Sequence, residues 1–192
     1  MDDEHYILLG SYISTLGGLV ESLSLNKLLI LKIKDKNLDK DIEDLYVINS
    51  GIGDYIQSAG QYIITTRSNT LLDLTANTSE TVGAFLAGSG ALLSVNDDSS
   101  GVLFIEYVGN EMQTIGALTS ALEEATASHR TGFLIQAIGT KTQAYGVILS
   151  LNKKDMAALI FNAIGAFLQF VGYFSLSYLL TRELLNKTLD KG

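Results

Sequence analysis

Apolar residues recur along this chain at the spacing of an α-helix. Ile52, Ile56, Ala59 and Ile63 follow one another at intervals of three or four residues, and later segments repeat this spacing. A strand would alternate apolar and polar residues at every second position, which these segments do not do. Polar clusters separate the apolar segments. The pattern predicts six helices, at about residues 3–33, 41–66, 79–95, 102–127, 130–151 and 155–187.

The links between these helices are short and polar, and the chain carries no proline that would break a long helix. Asp41, Ser79 and Asp155 are the predicted N-caps, because a short side-chain oxygen can bond the free N–H groups of a first turn. Short links favour antiparallel neighbours. We therefore predict an all-α fold, an antiparallel bundle of five or six long helices packed through glycine stripes. Residues 1–192 would form a single helical domain, which divides into three related hairpins at about 3–66, 79–127 and 130–187.

Glycines lie seven residues apart throughout the predicted helices. A glycine inside a helix costs ~1 kcal/mol relative to alanine, so this many helical glycines require a compensating gain. Because a heptad spacing drifts by only ~20° per repeat, each set forms one stripe along which a second helix backbone can approach closely. The predicted helix-packing residues are Gly10, Gly17, Gly53, Gly60, Gly83, Gly90, Gly109, Gly116, Gly132, Gly139, Gly146, Gly165 and Gly172. We expect the large residues beside the stripes to fill grooves opposite the glycines: Tyr12, Tyr55, Phe85, Phe167 and Tyr173.

Five glutamines each follow a heptad glycine by four residues, which places them on the same helix face as that glycine. They are Gln57, Gln113, Gln136, Gln143 and Gln169. A layer of these amides would hydrogen-bond between helices and set their register. The alternative is that they line the polar edge of each stripe and contact water. Both are structural roles, and we expect them over a ligand-binding role because buried amides are usually paired within the protein.

The heptads share the form G-x-[YF]-[IL]-Q-x-[IV]-G, from the first of these glycines to the last. Lys141 and Thr142 replace the large residues of one heptad, and Ser14 and Ala87 stand at two of the glutamine positions. The repeat resembles that of the uncharacterised repetitive glycine-heptad proteins, with a GxxxQxxG-like pattern, of Gram-positive, Bacillus-like bacteria. The resemblance implies a packing repeat and no particular activity, since those proteins have no known function.

Composition excludes several classes of function. The net charge is −8 and the sequence pI is about 4.6, whereas nucleic-acid binding requires a basic surface. The chain contains no cysteine, which excludes disulfides and thiolate chemistry. Its acidic start lacks the basic region of a signal peptide. No hydrolase, phosphate-loop or zinc-protease motif occurs. We therefore expect no enzyme, no cofactor, no bound metal and no nucleic acid.

Two weak metal or catalytic candidates are more simply explained as solvated residues. His5 and His129 are the only histidines, and neither has an acidic or histidine partner at helical spacing, so we expect both at the surface. The segment around Asp35, Asn37 and Asp39 resembles the start of a calcium-binding EF-hand loop. It lacks the sharp-turning glycine and the final glutamate of such loops. We expect it to be a solvated loop.

Residues 156–181 form an uncharged apolar run that is long enough to span a bilayer. The competing interpretation is a central bundle helix hidden by its five neighbours. Charges in the other helices, such as Glu21, Asp54 and Lys141, favour a soluble bundle, because membrane spans usually carry few. Localisation therefore stays open between cytoplasmic and peripheral or integral membrane.

A repeated packing unit without a singular catalytic constellation favours a non-enzymatic structural or protein-interaction bundle that self-associates through its glycine stripes. Two alternatives remain. One is a membrane-associated or membrane-inserting protein that uses the apolar helix 156–181. The other is a carrier that holds an apolar ligand in the bundle core.

Overall fold

The computed structural model of the chain describes residues 3–97 and 99–190. Residues 1, 2, 98, 191 and 192, which include both ends of the predicted domain 1–192, lie outside the described residues. Within those residues the fold is all-α and contains no strand. The helices are α1 (Asp3–Lys34), α2 (Lys40–Thr65), α3 (Leu71–Ser94), α4 (Ser100–Glu123), α5 (Ala127–Leu151) and α6 (Asp155–Leu189).

The helices form a closed ring. The pairs α1–α2, α3–α4 and α5–α6 pack as three hairpins, and the contacts α2–α3, α4–α5 and α1–α6 join the hairpins into the ring. In the described part of the chain, the backbone of each helix lies close to those of only these two neighbours, and no helix backbone crosses the centre. Predicting α6 as a central helix hidden by five neighbours was therefore wrong. Of the described helices, α6 alone is long and apolar enough to cross a membrane, as judged by length and composition.

Within each hairpin, the two helices pack against each other through backbone contacts at glycine. A Cβ atom built on Gly17 would lie 2.5 Å from the carbonyl oxygen of Gly53, and one built on Gly139 would lie 2.7 Å from that of Gly165. Since real Cβ contacts of this kind stay above 3.0 Å, no other residue fits there without displacing a helix. Glycines outside the heptad sets line a seam between hairpins. A Cβ on Gly88 of α3 would lie 2.8 Å from the carbonyl oxygen of Gly51 in α2.

All three predicted N-caps are wrong. Helix α3 begins eight residues earlier than expected, because the N-cap is Thr70, whose side chain accepts a bond from the N–H of Asp73. Helix α2 is capped by Asp39, which accepts from the N–H of Asp41. Helix α6 has Lys154 at its N-cap position, and Asp155 follows in its first turn, where a negative charge suits the helix dipole.

Polarity is inverted relative to an ordinary soluble bundle. The largest side chains that are almost fully buried are Tyr173, four glutamines and two glutamates, while the buried apolar residues are mostly alanine. Large apolar side chains instead point outward. Tyr12, Phe85 and Phe167 are 49%, 54% and 52% exposed, so the expectation that they fill grooves opposite glycines was wrong. The buried Tyr173 does contact a glycine, since a Cβ on Gly18 would lie 3.3 Å from its ring.

Candidate functional site

The centre of the ring is occupied by a layer of three glutamines, which we call the axial glutamine layer. Gln57, Gln113 and Gln169 come from α2, α4 and α6, and each is fully buried. Gln169 Nε2 donates to Gln57 Oε1 at 2.8 Å and to Gln113 Oε1 at 2.6 Å. Neighbouring members of the layer lie 56 residues apart in sequence. The layer therefore joins three helices whose backbones do not touch, with one glutamine contributed by each hairpin.

A buried carboxylate extends this layer toward the α1–α2 loop. Glu21 of α1 is 2% exposed. It accepts a bond of 2.6 Å from Gln57 Nε2 and a second bond from Gln143 Nε2 of α5. The carboxylate thus links the first hairpin to the third across the centre of the ring. Bonds from N–H donors to a carboxylate are stronger than those between neutral groups.

A second buried carboxylate lies on the opposite side of the layer. Glu80 of α3 is fully buried and accepts bonds from Gln61 Nε2 at 3.0 Å and Gln136 Nε2 at 2.5 Å. Ser120 Oγ donates to its other oxygen at 3.4 Å. These partners come from α2, α5 and α4, so Glu80 ties all three hairpins together.

Several buried amide atoms along the axis have no hydrogen-bond partner within the chain. They are Gln113 Nε2, Gln136 Oε1, Gln143 Oε1, Asn162 Oδ1 and Gln169 Oε1. A buried polar atom left unpaired costs ~1–3 kcal/mol. These atoms therefore mark positions where water or a polar ligand gains hydrogen bonds.

A cavity lies on either side of the axial glutamine layer. The larger, of about 560 Å³, is called the wide vestibule and lies at the end of the ring that holds the α2–α3 and α4–α5 loops. The smaller, of about 220 Å³, is called the acidic vestibule and lies at the opposite end. On α2 the order along the helix is Asp54 in the acidic vestibule, Gln57 in the layer and Gln61 in the wide vestibule. The layer therefore separates two cavities at opposite ends of one axis.

The wide vestibule holds the histidine that was expected at the surface. His129 lies in the first turn of α5 and is only 7% exposed, so that expectation was wrong. Its Nδ1 lies 2.7 Å from the hydroxyl of Thr126, the α5 N-cap, and its Nε2 lies 3.6 Å from Glu183. The sequence did not predict this burial, because the residues beside His129 form a polar cluster that is typical of a link between helices.

Acidic and amide side chains contribute to the lining of the acidic vestibule, beside apolar residues such as Leu25 and Leu159. Glu21, Asp54 and Glu106 contribute carboxylates from α1, α2 and α4, and Gln143 and Asn162 contribute amides from α5 and α6. The oxygens of both amides are among those without a partner. The acidic vestibule is therefore a cavity lined by all six helices, with the named acids and amides contributed by five of them.

The five predicted glutamines all lie within this polar axis, and each is at most 5% exposed. The sequence did not predict the roles of two buried glutamates. Glu21 and Glu80 accept the glutamine N–H groups, although nothing local in the sequence distinguishes them from surface acids. The 56-residue interval could have indicated the role of Glu80, because the same interval separates Glu80 from Gln136 and neighbouring members of the layer from one another.

The remaining candidates lie away from the axis. His5 is exposed in the first turn of α1. Asn37 bonds Asp35 through its backbone N–H, and Asp39 caps α2, so the EF-hand-like segment forms local turn and cap bonds. Within the described ranges, no three acidic or histidine side chains converge as a metal-ligand set.

The fold and its polar axis define an all-α bundle of helical hairpins. The chain belongs to a family of unknown function (DUF6944), whose model matches residues 5–176. That match spans the ring from the first turn of α1 to the second half of α6. No curated protein and no solved structure matches the chain.

Proposed function

We propose that this protein is a non-enzymatic integral membrane protein whose helix ring crosses the bilayer and encloses a polar axis. The observation that carries the proposal is the inverted polarity: large apolar side chains face outward, while amides and carboxylates face the axis. A soluble monomer rarely exposes an apolar patch larger than a few hundred Å². A bilayer removes that penalty for the outward faces.

The dimensions of the ring support this proposal. The shortest helices, α3 and α4, have 24 residues each. At 1.5 Å per residue a helix of this length spans ~36 Å, more than the ~30 Å hydrocarbon core of a bilayer. On α6 the outward residues include Ile164, Phe167 and Phe174, each about half exposed. The mean hydropathy of a whole helix understates how apolar its outer face is, because it averages that face with a polar inner one.

Hydroxyl pairs between hairpins suit the same environment. Thr114 and Thr140 lie 2.9 Å apart between α4 and α5, and Ser11 and Ser177 lie 2.7 Å apart between α1 and α6. Small residues and interhelical hydroxyl bonds are the usual means of helix association in lipid, where apolar side chains gain nothing from leaving the solvent.

The charges that favoured a soluble bundle do not oppose this proposal. Glu21 and Asp54 are buried and line the acidic vestibule. Lys141 is exposed on the outer surface, but its Nζ lies 2.6 Å from Glu111 Oε1, so the two residues form a neutral pair. Lys27 is exposed near the end of α1, from which a long side chain reaches the interface.

In the bilayer the two vestibules open toward opposite sides, and the axial glutamine layer is the barrier between them. This arrangement suits the binding or passage of a small polar solute. An apolar ligand would leave the amide and carboxylate groups of the acidic vestibule unpaired, so that cavity does not suit a carrier of apolar ligands.

Cysteine labelling tests the proposal, because the chain contains no cysteine of its own. Phe167→Cys reports on the outer surface of α6, and Asn69→Cys reports on the wide vestibule. In open membrane fragments, a charged thiol reagent should modify Asn69→Cys and should leave Phe167→Cys unmodified until the membrane is dissolved. Equal labelling of both variants, with the protein recovered without detergent, would contradict a membrane location.

Self-association is the second candidate, since it would also cover the outward apolar residues. The heptad glycines contact the partner helix of their own hairpin, so assembly would use the outer faces rather than the stripes. A soluble assembly would sediment, without detergent, at a multiple of the 20.7 kDa chain mass. A membrane protein would require detergent to remain in solution.

A further inference from the structure

The acidic vestibule combines several acceptor oxygens with very little positive charge. Glu21, Asp54 and Glu106 line it as acids, and Glu43 and Asp155 add two more toward its mouth. Among the described residues that line it, the basic side chain is Lys32, and this lysine forms an ion pair with Glu43. The three inner carboxylates therefore have no cation of the chain beside them within the lining.

Two amide oxygens point to a ligand independently of the acids. Gln143 is 5% exposed, and its Nε2 donates to Glu21, which leaves its Oε1 without a partner. Asn162 Oδ1 also lacks a partner, and it occupies the space that a Cβ on Gly146 would fill. Both residues line the vestibule. Both unpaired atoms are acceptors, so the missing partner is a donor.

The acceptors are distributed around the cavity rather than focused on one point. They come from α1, α2, α4, α5 and α6, and no three acidic or histidine side chains converge as a metal-ligand set in the ranges described. A cavity of about 220 Å³ has room for several heavy atoms. Such a lining is best matched by a cation that carries its N–H donors on separate atoms.

We propose that the acidic vestibule binds a small organic cation with several N–H donors, of the aliphatic diamine class. One ammonium group would bond the carboxylates of Asp54 and Glu106, and the other donors would reach the free oxygens of Gln143 and Asn162. The site requires only the folded ring, so it does not rest on the membrane location.

Calorimetric titration of the purified full-length protein with 1,4-diaminobutane tests this proposal. Saturable binding is expected at constant ionic strength. Glu106→Gln should weaken binding about tenfold or more, because an ammonium loses a charge-assisted bond. Glu111→Gln is the matched control, since it removes the same charge from the outer side of the same helix. It should leave binding essentially unchanged.

Parallel titrations with sodium chloride and magnesium chloride separate the alternatives. Saturable magnesium binding that excludes the diamine would overturn the proposal in favour of a hydrated metal ion. Equal weakening by Glu106→Gln and Glu111→Gln would overturn it in favour of nonspecific attraction to an acidic protein. Circular dichroism of both variants checks that the ring is folded, and Asn162→Leu provides an uncharged test, because it should also weaken diamine binding.

Discussion

Replacing Gly60 by alanine tests the close packing of α1 against α2. The added Cβ would lie 2.5 Å from both the carbonyl oxygen of Gly10 and the backbone N of Ser14. Ordinary contact begins at 3.4 Å, and both neighbours are backbone atoms, so a side-chain rotation cannot relieve the overlap. The two helices must separate locally by about 1 Å, which forfeits a quarter to a half of the dispersion energy of each affected contact.

The expected magnitude follows from two opposing effects. Overpacking of this kind costs ~1–3 kcal/mol, while alanine gains ~1 kcal/mol over glycine in helix propensity. Gly101 provides the matched control, because a Cβ there would meet only Ser99 Oγ, at 3.9 Å. Gly101→Ala should therefore show the propensity gain alone. The two variants should differ by ~1–3 kcal/mol, or by ~2–12 °C in Tm for a chain of this size.

Thermal unfolding followed by circular dichroism, in one solvent for both variants, provides the measurement. A Tm for Gly60→Ala equal to or above that of Gly101→Ala would refute the packing of α1 on α2. The double variant of Gly10 and Gly60 adds a second check. One displacement relieves both overlaps, so the combined loss should be smaller than the sum of the two single losses.

Three further substitutions test other parts of the ring. Lys141→Met leaves the Glu111 charge unpaired on the outer surface, which should cost ~3 kcal/mol of unfolding free energy in a bilayer but no more than ~1 kcal/mol in water. Adding Glu111→Gln to this variant should restore its stability. A small loss of stability in lipid would contradict the membrane location. Gln169→Leu removes the donor for two buried amide oxygens and should lower the unfolding free energy by ~2–4 kcal/mol, whereas an unchanged value would show that the layer is dispensable. Thr70→Ala removes the cap bond to the Asp73 N–H and should cost ~0.5–2 kcal/mol, with faster hydrogen exchange confined to the first turn of α3.

Much of the helical architecture was predictable from local pattern, since the 3.6-residue periodicity depends only on neighbouring residues. The start of α3 was not, because Leu71 and Leu72 follow a polar stretch and the cap belongs to Thr70. Heptad glycines identify a stripe on a helix without identifying the helix that packs on it. The short links predicted the pairing within each hairpin, but not the contacts between hairpins that close the ring.

The orientation of each helix was the main feature that the sequence left ambiguous. An amphipathic pattern reads the same whether its apolar face points inward or outward. Phe167 and Gln169 are two residues apart on α6 and lie on different faces of the helix. Only the closure of the ring places the glutamine inside and the phenylalanine outside. Acids such as Glu80 were ambiguous for the same reason, since their burial depends on amide donors contributed by other hairpins.

The donor role of Gln169 has a consequence for the order in which the chain is assembled. Gln57 and Gln113 are synthesised earlier, and both accept their bond within the layer from this one residue of α6. Helix α6 also supplies the contact with α1 that closes the ring. The first two hairpins can therefore form as they emerge from the ribosome, but the polar axis is completed only once the third arrives. Ribosomal pausing or truncation before α6 would leave a nascent chain with an open polar groove, the state in which quality-control proteases should find it most readily.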